Sequence, residues 1–203
     1  MRWSGQWTLL TAMGLAGGLV GGLLLGMPLG SILNAMVLTA LVTCFVGCVL
    51  GSFQAFGLRR MLSRPGWWIL ATTVGIGAGL AAGVVFVEQI GILSTGSRPN
   101  IARLTPGMRA ASFVGIGLIA GTVLGLAQWL VLRHAMRRMG RWVPASGAAL
   151  AVALSASSML VDLTGLRIAS ASGLGAFVLA AGLGFGLLTS WPWRRAATGS
   201  QKP

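Results

Sequence analysis

Two carboxylates, one imidazole and two thiols make up the acid–base and thiol chemistry of this chain: Glu88 and Asp162, His134, and Cys44 with Cys48. General acid–base catalysis needs a positioned proton donor and acceptor, and so small a set offers almost no candidates. No carboxylate pair, no His/Cys/Asp cluster and no phosphate-binding glycine motif is present, and the GxGxxG-like strings lie inside apolar runs instead of after a strand. Cys44 and Cys48 are four apart on one helix face, poorly placed to bridge each other, and read as small packing residues. His134 sits beside arginines and reads as a solvated loop residue. The expectation is no catalytic residue, no metal and no enzyme.

The composition sets the solvent. Of 203 residues, 55% are hydrophobic and 8% charged, against about 25% charged in a soluble domain. Too few charges remain to face water, so lipid must cover most of the surface. The net charge of +13 would suggest nucleic acid in a soluble protein. Here it reads as arginine that orients membrane spans, with no nucleic-acid partner. The N-terminus begins like a signal peptide, but its apolar stretch runs to Gly26 without a polar cleavage region, so it is expected to stay.

Six stretches are apolar enough to cross a bilayer, at approximately 7–26, 32–57, 68–90, 110–132, 143–162 and 171–191. About 20 residues at 1.5 Å each span the hydrocarbon core, and in lipid the backbone must satisfy itself, so these are helices.

The spans repeat. Gln54, Leu58 and Arg59 match Gln128, Leu132 and Arg133, with Gly47 and Gly51 ahead of the first set and Gly121 and Gly125 ahead of the second. From each glutamine to the next tryptophan, Trp68 or Trp142, is 14 residues. A worn third copy holds Gly182, Gly186, Thr189, Trp193 and Arg194. Trp7 with Gly14, Gly18 and Gly22 lines up with Trp68, Gly75, Gly79 and Gly83, and more weakly with Trp142, Ala149 and Ala153. Trp7 to Gln54 and Trp142 to Thr189 are both 47 residues, whereas Trp68 to Gln128 is 60, so the loop after helix 3 carries the insertion.

The expected fold is therefore an all-α integral membrane protein of six transmembrane helices, arranged as three tandem hairpins in a pseudo-threefold bundle. It forms a single membrane domain over 1–203, with units at approximately 5–62, 63–136 and 137–196 and a disordered tail at 197–203. Eleven basic residues fall on one side (Arg2, Arg59, Arg60, Arg64, Arg133, Arg137, Arg138, Arg141, Arg194, Arg195, Lys202) and four on the other (Arg98, Arg103, Arg109, Arg167). That asymmetry puts both termini in the cytoplasm and Trp7, Trp68, Trp142 and Trp193 near the inner headgroup level.

Each candidate site carries two readings. Gly14, Gly18 and Gly22, with Gly75, Gly79, Gly83, Gly117, Gly121 and Gly125, form small-residue ridges for close packing within the bundle or for docking another helix, lipid or pigment. Gln54, Gln128 and Thr189 form an intramembrane polar ring, either a hydrogen-bonded lock or a seat for a headgroup or small solute. Arg59, Arg133 and Arg194 form a basic ring that orients the chain or grips an anionic lipid. Glu88 and Asp162 each follow their repeat's tryptophan by 20 residues, at the outer helix ends. They are expected to pair at the surface with Arg103, Arg109 or Arg167, the sharper reading being a proton or cation relay.

The string GxxxGxxQxxxLR (Gly121, Gly125, Gln128, Leu132, Arg133), with WxxxxxxG at Trp68 and Gly75, resembles a loose class of uncharacterised small multi-pass bacterial membrane proteins. The resemblance implies the helical-hairpin fold and transfers no catalytic residue.

The expected function is that of a non-catalytic accessory or scaffold subunit of a larger complex in the bacterial inner membrane. Its partners would be membrane lipids and other membrane subunits, and no cofactor is expected beyond a bound lipid or pigment. The alternative is a small channel or transporter with its path along the pseudo-threefold axis.

Overall fold

In the computed structural model the described residues are 2–29, 33–59, 62, 64–95, 104–133, 139–165 and 171–199. Among them the secondary structure is helical, with no strand: α1 (Arg2–Leu29), α2 (Ala35–Leu58), α3 (Pro65–Thr95), α4 (Pro106–Leu132), α5 (Trp142–Leu163) and α6 (Ala171–Gly199). A short 3-10 turn, Met139–Arg141, leads into α5. All six helices are long and apolar enough to cross a membrane.

The ends follow local chemistry. Asn34 caps α2 by accepting from the Val37 amide at 2.9 Å. Thr105 does the same for Met108 ahead of α4, where Pro106 opens the helix with no amide to lose. Gly165 follows α5 with φ of 69°, a left-handed conformation that suits glycine.

Several helices outrun their expected apolar spans. α1 starts at Arg2, α3 covers Pro65–Thr95, and α6 continues to Gly199, past the expected limit of 191 and into the expected tail. Arg194–Ala197 are good helix formers, so the helix need not end where the apolar stretch does. Residues 200–203 lie outside the described residues.

Each helix packs on its neighbours in sequence, and α1 also packs on α6, so the six close into a ring. Glycines set the spacing. A Cβ on Gly14 or Gly18 would sit 2.9 Å from the Cα of Leu50 or Val46. On Gly75 and Gly79 it would sit 2.9 and 2.8 Å from the Cα of Leu124 and Ala120. Residue numbers rise along one helix as they fall along its partner, so adjacent helices run antiparallel.

The remaining interfaces use the other glycines. Gly47 and Gly51 of α2 face Thr73 and Ile69 of α3, with hypothetical Cβ to Cα distances of 2.7 and 3.0 Å. Gly121 and Gly125 of α4 face Gly147 and Val143 of α5 at 2.8 and 3.0 Å. Gly182 and Gly186 of α6 face Ala12 and Thr8 of α1 at 3.1 and 2.9 Å. Backbones this close gain dispersion and weak Cα–H···O contacts, which stand in for the hydrophobic drive that lipid does not supply.

The interior is filled in layers. Near the end that holds the start of α1, Trp7, Trp68, Trp142, Leu58 and Leu132 form one buried cluster. Further along the axis Leu50, Ile76, Leu124, Ala149, Ala153 and Phe185 form a second, with Leu15 of α1 against it, so every helix contributes. Towards the opposite end Val161, Phe177 and Val178 form a third. The outside of the ring carries exposed aliphatic side chains such as Leu9, Met13, Leu24, Val74 and Leu187, which suits a hydrocarbon environment.

Candidate functional site

Between the first two clusters lies a layer of polar side chains shut off from solvent. Gln54, Gln128, Thr189, Thr72 and Ser146 are 0% exposed and Thr11 is 1% exposed. Gln54, Gln128 and Thr189, singled out from the sequence, come from the even helices. Thr11, Thr72 and Ser146 come from the odd ones, each four residues after the tryptophan of its helix.

A buried amide must find partners, because desolvation without a hydrogen bond costs several kcal/mol (roughly 2–7). The partners are here. The Gln54 amide donates from Nε2 to Thr11 Oγ1 at 3.4 Å. The Gln128 amide donates to Thr72 Oγ1 at 3.1 Å and to Gln54 Oε1 at 3.3 Å. This second bond joins α4 to α2, which are not neighbours in the ring, so the two glutamines meet inside it. Trp142 donates its indole N–H to Gln128 Oε1 at 3.0 Å, across the 14-residue interval seen in the sequence. Trp7 donates to Thr189 Oγ1 at 3.0 Å and ties α1 to α6. Thr189 spends its own proton on the Phe185 carbonyl, 2.7 Å away on the same helix.

Two atoms of the layer are buried without a partner, Trp68 Nε1 and Ser146 Oγ. The 14-residue interval would give Trp68 the Gln54 carbonyl, but no such bond forms, and that oxygen accepts from Gln128.

The tryptophans require a correction. Trp7, Trp68 and Trp142 were expected at the headgroup level. They are instead at most 1% exposed and point into the ring, where Trp7 and Trp142 meet edge to face at 6.1 Å. An indole combines a large apolar body with one donor, and buried amide oxygens suit that donor as well as lipid headgroups do. In the Trp67–Trp68 pair it is Trp67, 57% exposed, that faces outward. The side chain of Trp193 lies outside the described residues.

The basic ring is not part of this layer. Arg59 and Arg133 are exposed at the same end, each over a ring of its own helix: Arg59 over Phe56 at 4.5 Å and Arg133 over Trp129 at 6.0 Å. The side chain of Arg194 lies outside the described residues, as does His134. Cys44 and Cys48 are exposed on the outside of α2, not packed inside the ring, because that face of the helix turns away from both neighbours.

All nine candidate packing glycines are buried. A Cβ on Gly22 would meet Val42 Cγ1 at 3.0 Å, one on Gly83 the Ile116 Cα at 3.0 Å, and one on Gly117 the Ala151 Cα at 2.5 Å.

The two acids part company. Asp162 of α5 accepts from Arg109 of α4 at 2.6 Å, both side chains being under 20% exposed. The pair expected at the surface is thus part-buried between two helices, and Phe113, one turn on from Arg109, meets the Phe177 ring at a tilt of 42°. Glu88 is half-buried and makes no ion pair with any described residue. Arg103 and Arg167, the other partners considered, lie outside the described residues.

Thr11, Ser146 and the inward direction of the indoles escaped the sequence reading. The interval of four residues from Trp7, Trp68 and Trp142 to a hydroxyl was the signal that could have found them. Compared with protein families, curated proteins and solved structures, the chain matches none.

Proposed function

We propose that this protein is a non-catalytic scaffold or accessory subunit of a bacterial inner membrane complex. In this reading the chain is three tandem hairpins about a pseudo-threefold axis, with both termini in the cytoplasm. The observation that carries the proposal is the sealed polar layer. Seven of its nine side chains hydrogen-bond one another across helices, and all nine expose at most 1% of their surface. Groups paired in this way hold helices together, at about 0.6–1.7 kcal/mol each in lipid.

Three further observations support the threefold arrangement. The α2–α3, α4–α5 and α6–α1 interfaces use glycines at matching places against matching residues. Each of the three tryptophans enters one buried cluster. Leu50, Leu124 and Phe185, each one turn before the polar residue of its helix, enter another. The orientation rests on eleven basic residues against four, and the Asp162 pairing offsets Arg109 on the poorer side. The apolar cluster on the axis supports the scaffold over the channel, because a conducting path would have to part residues from all six helices.

The test is purification of the tagged full-length protein from native membranes in a mild detergent. Stoichiometric co-purification of other membrane subunits is expected, and an absorption spectrum of the same sample reads any pigment. A protein that purifies alone and carries ions across liposomes would replace this reading with the channel.

A further inference from the structure

We infer that Thr189 leaves open the place of a third side-chain carboxamide in the polar layer, and that this place binds one water molecule. The inference rests on the threefold register proposed above.

The two glutamines set the rule. Each donates from Nε2 to the hydroxyl four residues after its own hairpin's tryptophan: Gln54 to Thr11 and Gln128 to Thr72. In the third hairpin that hydroxyl is Ser146, and the residue in the glutamine place is Thr189. Threonine is two heavy atoms shorter than glutamine. Its one proton goes to the Phe185 carbonyl, so it has nothing to give Ser146. Ser146 Oγ, 0% exposed, is left without a partner and lies against Gly125 of α4.

The same substitution leaves two more valences open. Gln54 Nε2 carries two protons and uses one, on Thr11. Gln128 Oε1 has two lone pairs and uses one, for Trp142. In a layer of three amides each carbonyl would accept from the next amide around the axis, as Gln54 accepts from Gln128. The missing third amide would have accepted from Gln54 and donated to Gln128 and Ser146. A water molecule can make the same set: it accepts from Gln54, donates to Gln128, and bonds the Ser146 hydroxyl. About three hydrogen bonds is the usual complement of a buried water, and the volume of a lost carboxamide is on the order of one water. No charged or extended solute fits so short a difference between side chains.

Two measurements on the full-length protein in detergent micelles test this. The first is selective 15N-glutamine labelling with water–amide cross-relaxation. Gln6, Gln89 and Gln201 are assigned by single substitutions to alanine, which leaves the signals of Gln54 and Gln128. A long-lived water cross-peak to the buried side-chain amide protons is expected in the native protein and its loss in Thr189→Gln. Absence of that cross-peak in the native protein would overturn the inference. The second is thermal unfolding of Thr189→Gln. If the place is open, the longer side chain fits and the midpoint holds or rises. A fall of more than about 5 °C means that there is no room for a carboxamide, and the inference fails. Failure of the register itself is read separately, from spin-label distances between α1, α3 and α5.

Discussion

The two ends of this ring handle polar groups in opposite ways. At the end where α1 begins, nine side chains from six helices form a layer that solvent does not reach. They are three tryptophans, two glutamines, three threonines and one serine, with one tryptophan and one hydroxyl from each odd helix and one polar side chain from each even helix. At the other end, among the described residues, a single ion pair, Arg109–Asp162, joins α4 to α5. Its counterpart Glu88, at the matching place in α3, has no cation beside it among the described residues. The glycine contacts run the length of the helices and do not distinguish the ends.

The difference follows from solvent access. A group with no exposure costs stability unless the protein matches it, and seven of the nine side chains are matched by one another, Trp68 Nε1 and Ser146 Oγ being left over. Arg109 and Asp162 keep 15% and 18% of their side-chain surface exposed, so part of each group can turn to water or headgroups, although Arg109 Nε and Asp162 Oδ2 are buried without a hydrogen-bond partner.

If packing underlies both ends, the largest loss should come from a glycine. Gly79→Leu would drive a Cβ to 2.7 Å from the Ala120 carbonyl oxygen. It should cost at least the upper part of the roughly 1–3 kcal/mol seen for overpacking, read as a lower melting midpoint or a loss of folded protein in detergent. Gly77→Leu, with no atom near its Cβ, should change the midpoint little.

The polar layer comes next. Gln128→Leu removes three hydrogen bonds and leaves the Trp142 indole without its amide acceptor. A loss of about 2–3 kcal/mol is expected, somewhat below three bonds of average strength because the unfolded helices also find partners in lipid. Urea or SDS titration of the variant would measure it, and a loss no larger than that of an exposed position would remove the lock from the account.

Asp162→Asn should cost less, about 1–2 kcal/mol, because Arg109 can turn to water at its partly open end. A double-mutant cycle with Arg109→Gln isolates the pair. Glu88→Gln should lie within about 0.5 kcal/mol of the native protein. A larger effect from Glu88 than from Asp162 would reverse the contrast between the matching sites.

Much of this contrast could be read in the residues beforehand. Six spans follow from hydropathy, because lipid leaves the backbone few choices. The 14-residue interval between glutamine and tryptophan turned out, at Gln128 and Trp142, to be a hydrogen bond. What stayed hidden was direction. A tryptophan at a helix end satisfies its donor equally well on a headgroup or on a buried amide, so composition and depth could not decide that Trp7, Trp68 and Trp142 turn inward. Thr11 and Ser146 were hidden because hydroxyls in membrane helices commonly bond their own backbone, as Ser52 and Ser157 do here. The choice of Arg109 for Asp162 depends on which turns of α4 and α5 lie side by side, and sequence spacing alone did not carry that.

The central claim is that three hairpins stand around one axis in a common register, and three distances test it most directly. Met13, Val74 and Ala148 occupy matching places on α1, α3 and α5, and all three side chains face outward. In a background lacking Cys44 and Cys48, spin labels at these positions, taken two at a time in lipid, yield three pairwise distances by pulsed electron resonance. The expected result is three distances that agree within the width of the labels. Two similar distances and one clearly longer, as a row of hairpins would produce, would contradict the ring.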